Sequence, residues 1–589
     1  MKKDTINNEI IKFISHNKNY CIYVFLKNIL ICFNLIITPY IIKNFIIYLE
    51  NDNISFFIKK VLIIILLSFL LKCFSNIFGY LESKNKYKIS IKMKLDFNKF
   101  TLNIPYSVYE LSETQDMYNN AIYNLGNNTG IIAIVTNQIS FISYFSCFTI
   151  IIPFLLLIDF YMALIIIVIL ILSILISIFQ KRIEKNKYYN NTRIVTRKIN
   201  YLNSICNNVS FAKEIRIFSL FDKINKMKKI EVDNYFKKLK DNQIIKSKLG
   251  IVKVLLEILE YLVCYVYFIM RYINNNIDTA NFVYYITVSS SVIIALNQII
   301  SFIVSIINNK LYLKDLIDFK NKYIIGEKIT NLKTIDEIEL IEFKNVSFKY
   351  FDSNKYVLKN INLKISDEKI ALVGLNGAGK TTLVKLLCGL YEPTEGIIEI
   401  NGIDIKNIDK TCIFKYLDIL FQNNPLLAIS LKENILYENT EKENLSLLYK
   451  EIELNDNLIN NIENGYCYSK ELYSTGVQLS GGEIAKINIL RIINSKKKFF
   501  IMDEPTAALD PFIEIKLYEL LKNNMKNRFG LFITHRLNSI TFCDKILLLE
   551  DGKIVENGSH DELIEKKGKY YELYNKQGIN YRKGINEES

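Results

Sequence analysis

Nine consecutive residues, Gly374-Leu-Asn-Gly-Ala-Gly-Lys-Thr-Thr382, have the types and spacing that hold a row of phosphates. Gly374, Asn376, Gly377 and Gly379 let backbone N–H groups wrap an anion where a helix begins. Lys380 is placed to neutralise the β- and γ-phosphates, Thr381 can offer its hydroxyl to Mg²⁺, and Thr382 continues the turn. Ile370 to Val373 reads as a buried strand in front of this loop, and Leu383 to Cys388 as a helix behind it. A chance glycine loop would lack that strand–loop–helix context.

A second apolar strand, Phe499 to Met502, ends in Asp503-Glu504. Such a strand end can deliver Asp503 to Mg²⁺ and put Glu504 where it polarises an attacking water. Taken alone, an apolar run ending in two acids is more often a strand end with solvated carboxylates. Beside a phosphate loop it reads as the hydrolytic half of an ATPase that uses ATP and Mg²⁺.

Leu479-Ser480-Gly481-Gly482-Glu483, ending twenty residues before Asp503, resembles the signature sequence of the ATP-binding cassette family. In that family the signature of one cassette covers the nucleotide held by another, so the resemblance implies an obligate dimer with Ser480, Gly481 and Gly482 on the partner's nucleotide. A serine hydroxyl and glycine N–H groups at a helix start would suit that task. Further family elements occur in order. Tyr350 resembles the aromatic that stacks on adenine, and Gln422 the glutamine that senses Mg²⁺ and water. Asp510, in Ala508-Leu-Asp510, resembles the loop that crosses the dimer, and His535 resembles the switch histidine on the γ-phosphate. A lone Tyr or His is usually packing; here each lies in the family's order. The resemblance thus implies catalytic roles for Glu504, His535, Lys380 and Gln422, and a Mg²⁺ shell of Thr381, Gln422 and Asp503. Two departures stand out: Glu483 occupies a position where Gln is commoner, and Leu472 to Val477 lacks a Gly-Glu pair carried by many multidrug-type exporters.

The elements that must position these residues fall into two classes. A chain of 589 residues is too long for one core. Half of its residues are apolar although 23% are charged, which points to apolar residues gathered in lipid-facing stretches. Six stretches near spanning length lie at about Tyr20–Leu49, Val61–Leu81, Ile131–Ile158, Tyr161–Phe179, Ile251–Tyr272 and Phe282–Ile307. The connections after the second and fourth are long and rich in Lys and Arg, including Lys84, Lys88, Lys92, Arg182, Arg193 and Arg197. The positive-inside rule then sets both long loops, both termini and the cassette in the cytoplasm of a multi-pass cell-membrane protein. The net charge of +14 is explained by those loops, and no nucleic-acid partner is expected. The ten cysteines are scattered without a Cys-x-x-Cys pair and read as reduced structural thiols.

The expected fold is a membrane all-α six-helix domain of ATP-binding-cassette exporter type over residues 1–310, a linker at 311–337, an α/β phosphate-loop cassette at 338–577 and a polar tail at 578–589. The resemblance implies a half-transporter coupling ATP hydrolysis to export from the cytosol across the lipid bilayer. Because every nucleotide-site position is present, a homodimer is favoured over a heterodimer. Coupling helices are expected near Tyr109 to Tyr118 and Lys213 to Leu220. The wording Ala212 to Phe218, the absent Gly-Glu pair and Glu504 to Pro511 followed by Glu514 resemble exporters of modified peptides such as lantibiotics. A lipid or multidrug exporter, or a siderophore importer on the exporter fold, shares the same motifs. Glu257 and Glu260 share a helix face in the fifth stretch and could attract a cationic peptide; alternatively that helix extends into the cytosol and the acids are solvated or paired with Lys253.

Overall fold

The computed structural model describes residues 2–50, 54–158, 168, 171–177, 179, 193–323, 332–351, 353–422, 424–437, 445–506, 509, 511–535, 540 and 543–576. The chain divides into two compact units. One comprises Met1–Ile104 with Leu111–Ile325, the other Pro105–Glu110 with Gly326–Ser589.

The first unit is helical. Its helices are α1 (Lys2–His16), α2 (Lys18–Glu50) and α3 (Ile54–Leu102), followed after the short α4 (Tyr106–Tyr109) by α5 (Ser112–Tyr123) and α6 (Gly130–Ile158). The unit continues with α7 (Arg193–Asn207), α8 (Ala212–Ile217), α9 (Phe221–Ile273) and α10 (Thr279–Tyr323). Among the described residues four segments are long and apolar enough to cross a membrane: Lys18–Ile47, Val61–Leu102, Gly130–Ile150 and Thr279–Tyr323. On α3, Leu62, Ile63, Leu66 and Phe69 are each about 60% exposed, an apolar surface that only lipid or another chain would cover. The fourth expected stretch, Tyr161–Phe179, lies mostly outside the described residues. The fifth is the end of α9, interrupted by Glu257, Glu260 and Arg271.

Where helices of this unit meet, polar pairs replace the hydrophobic drive that lipid removes. Tyr20 and Thr136 share a 2.6 Å hydroxyl contact, Asn28 donates to Ser140 at 2.8 Å, and Asn137 donates to Ser305 at 2.9 Å. The helix α10 continues through Tyr323, into the stretch read as linker. The expected helix Tyr109 to Tyr118 is broken, because Leu111 adopts an extended backbone as the N-cap of α5.

The second unit is α/β. Its main sheet runs β10-β9-β3-β8-β7-β6, built from β3 (Lys369–Val373), β6 (Leu417–Leu420), β7 (Phe499–Asp503), β8 (Phe529–Ile533), β9 (Lys545–Glu550) and β10 (Lys553–Gly558). From β9 to β6 all neighbours are parallel, and β10 returns antiparallel. Every residue of β7 and β8 is buried, as continuous apolar runs in a parallel sheet covered on both faces must be. A smaller antiparallel sheet, β2-β1-β4-β5, is formed by β1 (Ile341–Phe348), β2 (Leu358–Ile365), β4 (Glu395–Ile400) and β5 (Ile403–Asp404). One core joins this sheet to one face of the main sheet and to α11 (Lys380–Leu387). Another covers the opposite face with α13 (Leu431–Leu436), α14 (Leu445–Glu451), α15 (Asp456–Glu463), α16 (Gly481–Asn494) and α17 (Pro511–Asn524), while α12 (Lys410–Tyr416) abuts the first core.

Candidate functional site

The parallel strands β3, β8, β7 and β6 are adjacent in that order, so their carboxyl ends emerge side by side. Gly374 follows β3, His535 lies two residues past β8, Glu504 follows β7, and Gln422 lies two residues past β6. Residues far apart in the chain therefore converge at one edge, where open parallel sheets bind ligands. Asn376, Gly377, Gly379, Lys380, Thr381, Thr382, Gln422, Asp503, Glu504 and His535 line a single cavity of about 370 Å³, together with Val357.

The phosphate loop owes its path to two glycines. A Cβ on Gly374 would sit 2.3 Å from the carbonyl oxygen of Leu549, and Gly379 has φ +108°, in the region closed to most side chains. Gly379 starts α11 without a capping side chain, so the helix presents its first N–H groups to the cavity. Buried Lys380 donates to the carbonyls of Gly374 at 2.8 Å and Leu375 at 3.1 Å, which aligns it with the loop. Burial pushes its ammonium below the ordinary lysine range, opposed by Glu504 and Asp503.

Thr381 Oγ1 donates to Asp503 Oδ2 at 3.3 Å. Asp503 is only 3% exposed, and burial, reinforced by Glu504, pushes its carboxyl up to about 6. A buried carboxylate, opposed only in part by Lys380, and a hydroxyl oxygen form a donor set suited to a hard cation such as Mg²⁺. Each oxygen of Glu504 has its own donor: Gln422 Nε2 at 3.0 Å on Oε2 and His535 Nε2 at 2.8 Å on Oε1. A carboxylate only accepts, so His535 contributes an Nε2–H; burial, then Lys380, holds the imidazole below its ordinary range, against Glu504. Glu504 also has φ +51°, and its N–H donates to the Ile533 carbonyl at 2.9 Å. A non-glycine residue in that conformation costs about 1–3 kcal/mol and persists where its surroundings fix it.

The other expected site residues are distributed differently. Tyr350 is outside the cavity lining; its hydroxyl meets Thr382 Oγ1 at 3.0 Å. Ser480 is the N-cap of α16, and Gly481 lines a neighbouring cavity that shares Gln422 and Glu504. Ser480 and Gly482 line neither of these cavities. Asp510 lies outside the described residues. Glu483, the unexpected residue of the signature, closes a capping box. Its N–H donates to Ser480 Oγ at 3.3 Å, while its Oε2 accepts from Ser480 N at 2.9 Å and Ser480 Oγ at 2.9 Å. Asn455 donates to its other oxygen at 3.1 Å. Although partial burial opposes it, these donors hold the Glu483 carboxyl below its ordinary range.

Glu514, noted in the sequence for its wording, is buried and accepts from Thr506 at 2.8 Å and Tyr518 at 2.9 Å, pinning the turn after Glu504 to α17. Val357 was missed because an isolated valine before a strand carries no signal. In the helical unit, Lys253 lies 3.9 Å from Glu257, whereas Glu260 is 2% exposed and its Oε2 has no partner among the described residues.

Residues 358–507 match the family model described as "ABC transporter". The chain is 34% identical over 301 residues to the subtilin transport ATP-binding protein SpaT of Bacillus subtilis, covering 49% of this chain and 48% of that protein. It is 34% identical over 279 residues to the nisin transport ATP-binding protein NisT of Lactococcus lactis, 46% of each chain. A Staphylococcus aureus protein named for multidrug export is 38% identical over 242 residues, 41% of each. The chain thus spans about half the length of the curated relatives it matches. A solved structure of a bacterial Atm1-family ABC exporter with ATP bound superposes with TM-score 0.71 at 17% identity, covering 95% of this chain and 98% of that one.

Proposed function

We propose that this chain, whose soluble unit carries an ABC transporter domain and whose overall fold is that of an ABC exporter, is half of an ATP-driven exporter. The observation that carries the reading is the convergence of Lys380, Thr381, Asp503, Gln422, Glu504 and His535 on one cavity, in a chain whose described helices include four of spanning length. ATP would lay its phosphates along Gly374–Thr382, where α11 N–H groups and Lys380 meet the charge. Thr381, Asp503 and Gln422 would hold Mg²⁺, which neutralises phosphate charge when bound. Glu504, aimed by Gln422 and His535, accepts a proton from the attacking water. His535 then turns its Nε2–H to the transferring phosphoryl.

Ser480 and Gly482 do not line the cavity that holds the phosphate loop, which supports the reading that a second copy brings its signature onto the nucleotide. Every expected catalytic residue is present in the sequence, which supports a homodimer. The cassette also has a groove of about 800 Å³ whose lining includes Phe414, Phe421 and Tyr437. The helical unit exposes Ile217 at 74% and Phe218 at 67% at the end of α8. A partner's α8 seated in such a groove would carry cassette closure to the membrane helices. The Lys- and Arg-rich long loops support a cytoplasmic cassette.

For the substrate we infer a cationic, modified peptide, supported by the names of the subtilin and nisin relatives and by Glu260, whose Oε2 has no partner among the described residues. The test is ATP-dependent accumulation of such a peptide in inside-out vesicles, alongside peptide-stimulated ATPase activity. Accumulation with stimulation is the expected result. ATPase activity indifferent to peptides but stimulated by a hydrophobic cation or a lipid would replace the peptide reading with a multidrug or lipid exporter.

A further inference from the structure

Helix α11 carries a second lysine, Lys385, at its C-terminal end. Lys385 Nζ lies 5.3 Å from the ring centre of Tyr391, 5.8 Å from Tyr106 and 6.0 Å from Tyr350. The rings also meet edge to face, with centres 5.5 Å apart for Tyr350 and Tyr391 and 5.9 Å apart for Tyr106 and Tyr391. Tyr391 is 6% exposed and donates its hydroxyl to Glu110. Tyr350 is tied on its other side to Thr382 of the phosphate loop.

Three parts of the molecule therefore share one ammonium: the helix that follows the phosphate loop, the aromatic read as the adenine platform, and Pro105–Glu110. That last segment leaves the helical unit at Ile104 and rejoins it at Leu111, yet groups with the nucleotide-binding unit. A cation within about 6 Å of a ring face is drawn to the ring's quadrupole, and the attraction strengthens as water is excluded. With three rings competing for one cation, the position of any ring changes what the other two gain. A plain anchoring cluster would not need to include the aromatic beside the nucleotide site.

We propose that Lys385 and Tyr391 are positioning residues that couple occupancy of Tyr350 by a nucleobase to the seating of Pro105–Glu110. The inference rests on reading Tyr350 as the adenine platform. Linkage makes the coupling reciprocal: a seated segment tightens base binding, and a bound base tightens the segment.

The full chain in lipid nanodiscs is given Mg·ATP or Mg·tripolyphosphate, which offers the phosphates without a base. Hydrogen exchange of 105–110 and nucleotide affinity are followed together. In the wild type ATP slows exchange of the segment and tripolyphosphate does not. Lys385→Met abolishes that base-dependent protection and weakens ATP by about 3- to 10-fold, leaving tripolyphosphate binding within about twofold. Tyr391→Phe keeps the ring and loses only the link to Glu110, so protection is lost with a smaller loss of ATP affinity. Equal protection by both ligands, or protection retained in both variants, overturns the proposal. So does equal weakening of both ligands by Lys385→Met, the mark of a damaged α11. Wild type that binds no ATP would sink the nucleotide-site reading itself; ATP binding without protection sinks only the coupling.

Discussion

Glu483 gives a direct measure of what the signature needs at its fifth position. Glu483→Ala removes the acceptor for both the Ser480 N–H and the Ser480 hydroxyl, and frees Asn455. Ser480 keeps its bond from the residue-483 N–H, so what is lost is the reciprocal half of the box, about 0.5–1.5 kcal/mol of hydrogen bonding, and a negative charge at a helix N-terminus, about 0.3–1 kcal/mol, with the low end fitting a partly exposed group. Glu483→Gln keeps the box, since Gln serves at the same position, and loses only the charge contribution. For a unit of this size about 1 kcal/mol moves Tm by about 2–4 °C. The alanine variant should therefore melt about 3–6 °C below wild type and hydrolyse ATP more slowly, because Ser480 is no longer held. The glutamine variant should melt within about 2 °C of wild type with its turnover intact. Nucleotide-free thermal unfolding in lipid and a steady-state ATPase assay supply both numbers. Equal melting of the alanine and glutamine variants, both well below wild type, would refute the capping argument and show that the charge is the essential property.

Two further outcomes follow from the same site. The Asp503 carboxyl, raised from 3.8 to about 6 by burial and then by Glu504, favours the protonated folded form, so its contribution is full below the unfolded value and is lost as pH rises through about 6. Without metal or nucleotide, wild type should therefore lose up to about 3 kcal/mol relative to Asp503→Asn between pH 4 and pH 7.5; parallel unfolding curves in a chelator would contradict this. Gly379→Ala forces a side chain into φ +108° with its Cβ 2.8 Å from Leu358 Cδ2. It should cost about 1–3 kcal/mol and weaken triphosphate binding by at least about tenfold in a filter or fluorescence titration, and near-normal binding would count against the loop geometry.

What the sequence made legible was local. The phosphate loop is contiguous, so its strand, glycines and helix could be read together, and β7 showed itself as an apolar run ending in Asp503-Glu504. The convergence of Gln422 and His535 on Glu504 was reachable only through resemblance. It depends on the spatial order β3-β8-β7-β6, which no local pattern encodes. The apolar run in α3 stops near Leu81, yet the helix continues to Leu102, because its Lys-rich continuation is built of residues that tolerate helix well. Lys385 and Tyr391 carried no signal, and Glu110 only its place in the expected coupling stretch Tyr109 to Tyr118; their grouping appears only where Pro105–Glu110 joins the cassette. Glu483 looked like a departure because its partners, Ser480 and Asn455, act through backbone geometry and tertiary position.

The central claim is that Glu504 drives ATP hydrolysis in a membrane-embedded dimer. The direct measurement compares Mg·ATP turnover and ATP binding by the purified chain in lipid, wild type beside Glu504→Gln. The account predicts steady hydrolysis by wild type, and for the variant retained ATP binding with turnover lower by about 100-fold or more. Equal turnover in the two proteins, or no hydrolysis by wild type at any density in the membrane, would contradict it.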